Sequence, residues 1–534
     1  MVTIAEKKEG RLQTENQLLN QKIGFSAAYL AVQYLFSHIK ETPGLITEQT
    51  ATALVFLLQS SRFEAKKQAF FLYKEAADAL VKISTDAAHP LAGFAIFKLQ
   101  DLLLDSSGKK HRAVSEALGS LPLKISGPDI QKTDRDEISE VTFDSLLVHC
   151  GNPDINTLEW HGRTITFKLN SRQIACIKFA KSKENAFELI METHWLNFLK
   201  DNPPCLQSIF KIPIPVCINN ISMFKLTQLP DLIFKNHTPY YENLAIVFIA
   251  EKDYFLYPND PVFFKNQTES MKEVFMRNAW LLGKLTSKGI IHTALIPLFH
   301  NRVQQSRRED QGAYIWEQGG RLDKWLESSQ YPNFAKSGLR DFEHLISIKT
   351  TKRLRHFIGE HILGFVLVAG SFFRNKAPEK LGFDENGNPV DTRYLFDRPL
   401  FLALFKAVVK LYYHGITSVP LKRLDHFLDD SLIDRLIESM GIDHHMEETL
   451  RIQDQNNMSD ADFNDFLISR GCGHPTIKNI NKGQKDIVLN TGPHLGGFNQ
   501  PISVPELVDF LFCLSSLCVS DRYIMENGLK ASLN

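Results

Sequence analysis

Cysteine is scarce in this sequence and never stands in the pairs that metal or dithiol chemistry needs. Cys150, Cys176, Cys205, Cys217, Cys472, Cys513 and Cys518 are scattered, and none forms a C-x-x-C. That excludes a zinc ribbon or a thioredoxin-type motif, and a sparse, odd count fits a reducing compartment. Net charge is also absent: Lys+Arg and Asp+Glu both total 61. Bulk electrostatics therefore supply no attraction to nucleic acid or to an anionic membrane. Long apolar runs are missing too. The longest, Ile362 to Phe373, falls well short of the ~20 residues that cross a bilayer. The opening MVTIAEKKEGRLQ has no apolar signal-peptide core. The expectation is a cytoplasmic protein, with export by a specialised bacterial system left open.

What is present is a chain of 534 residues, 43% hydrophobic and 23% charged, a globular composition too long for one core. Residues 1–19 read as a flexible N-terminus. Over 20–125, apolar residues recur at three and four in GFSAAYLAVQYLFSHI, ATALVFLLQSS, KKQAFFLYKEAADALVKIS, PLAGFAIFKLQDLLLD and HRAVSEALGSLPL, which predicts consecutive helices. Breaks at Pro43-Gly44, His89-Pro90 and Ser106-Ser107-Gly108 make them short. Short Ala- and Leu-rich helices suit HEAT or armadillo-like repeats stacked on their neighbours; an irregular helical bundle is the other reading.

The pattern changes after a polar linker over 126–140. TLEWHGRTITFKLNS and RQIACIKFAK alternate and are β-branched, with a polar turn at 169–172, predicting strands. A helix follows from Lys183 to Lys200, ending before Asn202-Pro203-Pro204. IPVCINNISMFKLTQ and NLAIVFIAE give further strands, and beyond Asp260 the pattern is mainly helical.

Within this order several residue types carry chemistry. Lys178 is the one cation in the apolar strand Ile-Ala-Cys-Ile-Lys. Such a lysine can meet nucleotide phosphates as a point charge; alone it could equally be a strand lysine facing solvent. On the next helix Glu192 shares a face with Trp195 and Leu196 at i+3 and i+4. A carboxylate on a packed face needs a cation, and Lys178 is the natural one. Glu188, a turn earlier, is the alternative, and Glu184 is a solvated acid in the first turn. Ile249, Ala250, Glu251 and Lys252 close an apolar strand where backbone groups could bind a nucleotide base.

The segment GIIHTALIPLFHN, 289–301, is the most specific. Protein kinases carry H-R-D-L-K-P-x-N here. His292, Leu295 and Pro297 keep register, Asn301 stands two places late, and Ala294 replaces the base Asp. Alanine has no lone pair with which to accept a substrate proton. His292 reads as a residue that holds its loop together. Downstream, DQGAYIWEQGGRLD, 310–323, offers a metal-binding acid: Glu317 fits best by strand count, with Asp323 and Asp310 as rivals. One such acid plus Asn301 would suit Mg²⁺. No G-x-G-x-x-G exists; Gly162 alone stands in the first hairpin.

Over roughly residues 140–420 these features resemble kinase-fold pseudokinases, and most closely the SidJ-related pseudokinase group. The segments GGRLDKW, YPN and SGLRDFEH, this last ending at His344, look like group signatures; Arg340, Asp341, Glu343 and His344 make it dense in polar chemistry. The resemblance implies an α+β chain: a bilobal kinase-like domain, with a β-rich N-lobe and hinge over 141–260 and a helical C-lobe with extension over 261–534, behind the helical repeats. It implies ATP and Mg²⁺ as cofactors and a protein as substrate. The chemistry implied is protein glutamylation through an acyl-adenylate, or the AMP transfer of the SelO-like proteins. Both groups dispense with the catalytic-loop Asp, the SelO-like proteins while moving AMP onto a hydroxyl; in glutamylation the carboxylate nucleophile is already ionised at neutral pH and needs no base. The competing reading is an inactive pseudokinase used as a nucleotide-regulated binding module.

Calmodulin activation through a C-terminal helix also belongs to the group. No IQ-type motif stands in this chain. IKTTKRLRHFIGEHILGFVLVAGSFFR, basic then apolar, has a calmodulin-target layout and equally that of a buried helix. Asp384-Glu-Asn-Gly-Asn-Pro starts like a calcium loop but lacks the Gly and the final Glu. His444-His445 and Gly471-Cys-Gly-His474 have no further ligands at zinc spacing.

Overall fold

The computed structural model describes residues 24–41, 48–60, 62–105, 108–130, 138–206, 210–234, 240–256, 271–295, 332–375, 398–425, 428, 476–478, 486–490 and 499–529. The described part is α+β, with one mixed sheet and several helices. Asn301, Asp310, Glu317 and Asp323, the calcium-loop look-alike and the His444 and His474 segments all lie outside these residues.

Five helices open it: α1 (Phe25–Glu41), α2 (Glu48–Gln59), α3 (Ala69–Ser84), α4 (Ala92–Asp105) and α5 (Gly108–Leu118). They fall where the three–four periodicity places them. α3 lies in the middle and packs on the other four. Leu72, Tyr73, Ala76, Ala77 and Leu80 are buried, and the alanines let neighbouring axes approach closely. The sheet begins with β1 (Ile138–Thr142), so the last residues read as linker, Ile138 to Glu140, already belong to a strand. After a short helix, α6 (Phe143–His149), come β2 (Asp154–His161), β3 (Thr164–Lys168) and β4 (Gln173–Phe179). Helix α7 (Lys183–Asp201) precedes β5 (Ile214–Pro215), β6 (Met223–Thr227) and β7 (Leu244–Glu251). The order is β1-β6-β7-β4-β3-β2, with β5 on β7. β4 is thus interior, and from Ala175 to Phe179 it is buried on both faces.

Local chemistry sets the joints. In the β3–β4 turn, Asn170 Oδ1 accepts from the Arg172 and Gln173 amides. Gly162 turns the β2–β3 hairpin at φ +64°, a region open to glycine at no steric cost. Ser182 caps α7 by accepting from the Asn185 amide.

The remaining helices are α8 (Met271–Ser287), α9 (Thr351–Asn375), α10 (Arg398–Thr417) and α11 (Val504–Asn527). α8 and α10 cross at paired glycines: a Cβ on Gly283 would stand 2.2 Å from the Tyr412 carbonyl oxygen, and one on Gly415 2.6 Å from that of Trp280. Short strands interrupt the helical pattern expected beyond Asp260. β8 (Ile290–His292) pairs with β11 (Leu345–Ser347), β9 (Phe334–Ala335) with β10 (Gly338–Leu339), and β12 (Thr476–Lys478), β13 (Asp486–Asn490) and β14 (Asn499–Ser503) form a small antiparallel sheet. Pieces of two to five residues are too short for period-two alternation to show.

α11 packs on α4 and α5 as well as on α9 and α10. A buried polar seam joins them. Gln100 Nε2 donates to Asp521 (2.7 Å) and Ser520 (2.6 Å), Tyr413 OH donates to Asp521 (2.7 Å), and Ser115 and Ser516 share a hydrogen bond of 2.9 Å. Each buried polar group needs such a partner. The basic-then-apolar segment is α9; its Leu354, Ile358, Ile362, Leu363 and Phe365 are buried in the core.

Candidate functional site

β4 sets Lys178 between Thr164 of β3 and Ile246 of β7. α7, packed against the sheet, turns Glu192, Trp195 and Leu196 inward together; all three are buried. The Lys178 ammonium donates to Glu192 Oε2 at 2.8 Å, and Glu188 instead accepts from Asn185. Two more acids come from the segment before β11. Asp341 Oδ1 lies 3.1 Å from Lys178 Nζ, and Glu343 Oε1 and Oε2 lie 2.8 and 2.9 Å away. Three ammonium hydrogens thus meet three carboxylates. Arg163, at the tip of the β2–β3 hairpin, adds a second cation by donating to Glu343 at 2.7 Å.

Three carboxylates against two cations leave the cluster one proton short of neutrality, and the protonation states separate accordingly. Burial, with Glu343 adding repulsion, pushes Glu192 up to about 8 although Lys178 pulls it down. Burial opposes ionisation of Glu343 as well, but Lys178, His344 and Arg163 outweigh it and hold that acid down to about 2. The Lys178 ammonium, which burial would deprotonate, is kept charged by Glu192, Glu343 and Asp341. Glu192 Oε1 is buried and has no hydrogen-bond partner.

Asp341 and Glu343 were legible in the sequence only as polar residues without a role. The missed signal is the dipeptide Asp341-Phe342, which has the residue types of the acid and phenylalanine in a kinase D-F-G motif. Asp341 adopts a left-handed conformation (φ 53°) and starts the 3₁₀ turn Phe342–His344, and Phe342 is fully buried. A non-glycine residue held there stores strain of the kind that clusters at functional sites. The Asp341 side chain is 29% exposed and Glu343 only 2%, so Asp341 presents its carboxylate to the cleft.

His292 lies on β8, buried. One ring nitrogen donates to the Arg340 carbonyl (2.8 Å) and the other accepts from the Ala294 amide (3.3 Å). It ties the segment bearing Asp341 to the loop bearing Ala294. Asn333 adjoins that loop: its Nδ2 donates to the Ala294 carbonyl (2.5 Å), and its amide donates to that of Leu295. Among the described residues Asn333 is the asparagine that the fold brings beside Ala294; the sequence candidate Asn301 lies outside them. Residues 296–331 intervene, so motif spacing could not find it.

A cleft of about 490 Å³ opens over the cluster. Lys178, Arg163, Asp341 and Glu343 line one part; His161 and Phe255 line another, with Lys181, Asn185 and Glu188 at the α7 side. Ile249, Ala250, Glu251 and Lys252 are not among its lining residues. The first three are paired with Ala175, Ile174 and Gln173 of β4, and the Lys252 amide donates to the Arg172 carbonyl. Phe255, a few residues later, reaches the cleft. Among the described residues no group of three or more His, Cys, Asp or Glu side chains is arranged to hold a metal ion alone, and no helix is long and apolar enough to cross a membrane.

No protein-family model matches the chain. Among curated proteins it is similar to the calmodulin-dependent glutamylase SidJ of Legionella pneumophila subsp. pneumophila (strain Philadelphia 1), with 25% identity over 418 residues, covering 67% of this chain and 46% of the relative. The chain therefore spans about half the length of the curated relative it matches, a likeness that supports a SidJ-related relationship at family level.

Proposed function

We propose that the cleft binds ATP with Mg²⁺ and that the chain is a protein-modifying transferase of atypical kinase fold. The observation that carries this reading is the buried Lys178–Glu192 pair at 2.8 Å with Asp341 beside it. A lysine kept charged and fixed by a helix carboxylate, next to a partly exposed acid, is the arrangement kinases use on a metal-bound triphosphate. The residues fit that cargo. The cluster has a carboxylate in excess and an orphaned buried oxygen on Glu192, so added positive charge is favoured. Mg²⁺ takes one or two protein oxygen ligands and completes its shell with phosphate and water. Asp341 would hold it. When bound it supplies neutralisation of charge on the phosphates.

The chain's own residues do the rest. Lys178 and Arg163 present cations to phosphate oxygens, and Arg163 reaches them from the hairpin tip that lacks a glycine-rich loop. Glu192 holds Lys178 in place. His292 holds the Asp341 segment against the loop. Ala294 offers no base, which sets aside ordinary transfer to a hydroxyl and favours an acceptor already ionised, such as a carboxylate. The relative's activity as a glutamylase agrees with that choice. AMP transfer is the second outcome of the same site.

The test is mass spectrometry after incubation with ATP, Mg²⁺, glutamate and a cell lysate, with and without calmodulin because the relative is calmodulin-dependent. Added glutamate on a protein, abolished in Lys178→Ala, is the expected result; added AMP would shift the assignment to adenylyl transfer. Ala294 also favours a second reading, a binding module without turnover. A nucleotide-induced thermal shift with no modified protein would establish that one. No shift at saturating ATP and Mg²⁺ would remove both.

A further inference from the structure

The cleft lining holds charged and aromatic side chains, and only the charged ones are used above. The His161 imidazole and the Phe255 ring are stacked, 4.0 Å between centroids and 3° from parallel. His161 ends β2 at the hairpin, and Phe255 follows β7; both line the same cleft as Lys178 and Arg163. The Arg340 guanidinium lies 5.8 Å from the Phe255 centroid. Tyr254, buried, meets Phe255 edge-on at 5.0 Å and 88° and fixes the ring from behind. Burial lowers the His161 pKa, so near neutral pH it presents an uncharged aromatic face.

Both rings are half-buried and stack in parallel, one of the preferred aromatic arrangements. A flat, half-buried stack opening into a cleft suits a third flat ring. Ile249 to Lys252 do not line this cleft, whereas His161 and Phe255 do. We propose that His161 and Phe255 form the base-stacking platform of this cleft, selecting nucleotides with a large aromatic base over bare polyphosphate. The inference rests on the nucleotide reading above and adds what confers selectivity to it. Stacking is tolerant of base identity, so the platform favours purines by ring area and discriminates weakly between adenine and guanine.

The experiment measures binding of ATP, GTP and inorganic tripolyphosphate, each with Mg²⁺, by calorimetry on the full chain. The variants are Phe255→Leu, which keeps apolar volume, and Phe255→Trp, which keeps a stacking face. Wild type is expected to bind ATP and GTP about tenfold or more tighter than tripolyphosphate, the scale of one base–aromatic stack. Phe255→Leu should lose about tenfold for the nucleotides and leave tripolyphosphate unchanged; Phe255→Trp should behave as wild type. Equal affinity of wild type for all three ligands overturns the platform while leaving the phosphate site standing. So does a Phe255→Leu variant that keeps its preference, or one that weakens all three ligands together, which marks a structural contact. Failure of wild type to bind any of them overturns the nucleotide reading and the platform with it.

Discussion

Replacing Glu192 by Gln tests the charge balance of the site directly. Glutamine keeps the shape and an acceptor for the Lys178 ammonium but cannot ionise. In the wild type Glu192 is raised from 4.5 to about 8. The folded state therefore holds a proton that the unfolded state releases between those values. A raised group contributes stability that is present below the unfolded pKa and lost as pH climbs through the folded one, so wild-type stability should fall from pH 5 to pH 8. One pKa unit is worth about 1.4 kcal/mol, which caps the linked change at about 5 kcal/mol. Because three acids share the deficit, about half of that is expected. Glu343 is held down to about 2; its contribution is lost only as pH falls from 4.5 toward 2, outside the window. Urea midpoints for wild type and Glu192→Gln at pH 5, 6, 7 and 8 give the difference in which all other groups, histidines included, cancel. The variant should match wild type within about 1 kcal/mol at pH 5 and exceed it by roughly 2 kcal/mol at pH 8. A difference that stays flat across the series would refute the proton-short cluster.

Two further outcomes follow from packing. Arg355 of α9 is buried, with its guanidinium bonded to Ser115 and over the Phe512 ring, its Nε without a partner and, among the described residues, no carboxylate within ion-pair distance; burial pulls it down to about 10. A buried charge without a counter-ion carries a desolvation penalty that nothing repays, so Arg355→Met should raise the melting temperature at pH 7; a drop of several degrees would show that the guanidinium is needed where it is. Gly283→Ala forces a methyl against the Tyr412 carbonyl at the α8–α10 crossing. Backbone cannot give way as a side chain can, so a loss of about 1–3 kcal/mol is expected, measured as a lowered urea midpoint, and an unchanged midpoint would contradict the crossing.

Sequence alone determined what is local. The five N-terminal helices, the turn at 169–172, the α7 span and the strand carrying Lys178 follow from periodicity, caps and turn chemistry, which act over a few residues. The inward face of Glu192 followed from its helical spacing to Trp195 and Leu196, and with it the choice of Glu192 over Glu188 as the acid beside the lysine. Tertiary structure decided what distant segments bring together. Asp341 and Glu343 reach Lys178 across more than 160 positions, and nothing in the strand announces them. Asn333 meets Ala294 across 39 positions, a contact that counting along the motif cannot reach. Residues 249–252 do not line the cleft while Phe255 does, a matter of placement and not of residue type. A carboxylate's neighbours set its charge state, and those neighbours are chosen by the fold: that is why the acids could be recognised one by one from the sequence while their shared proton could not.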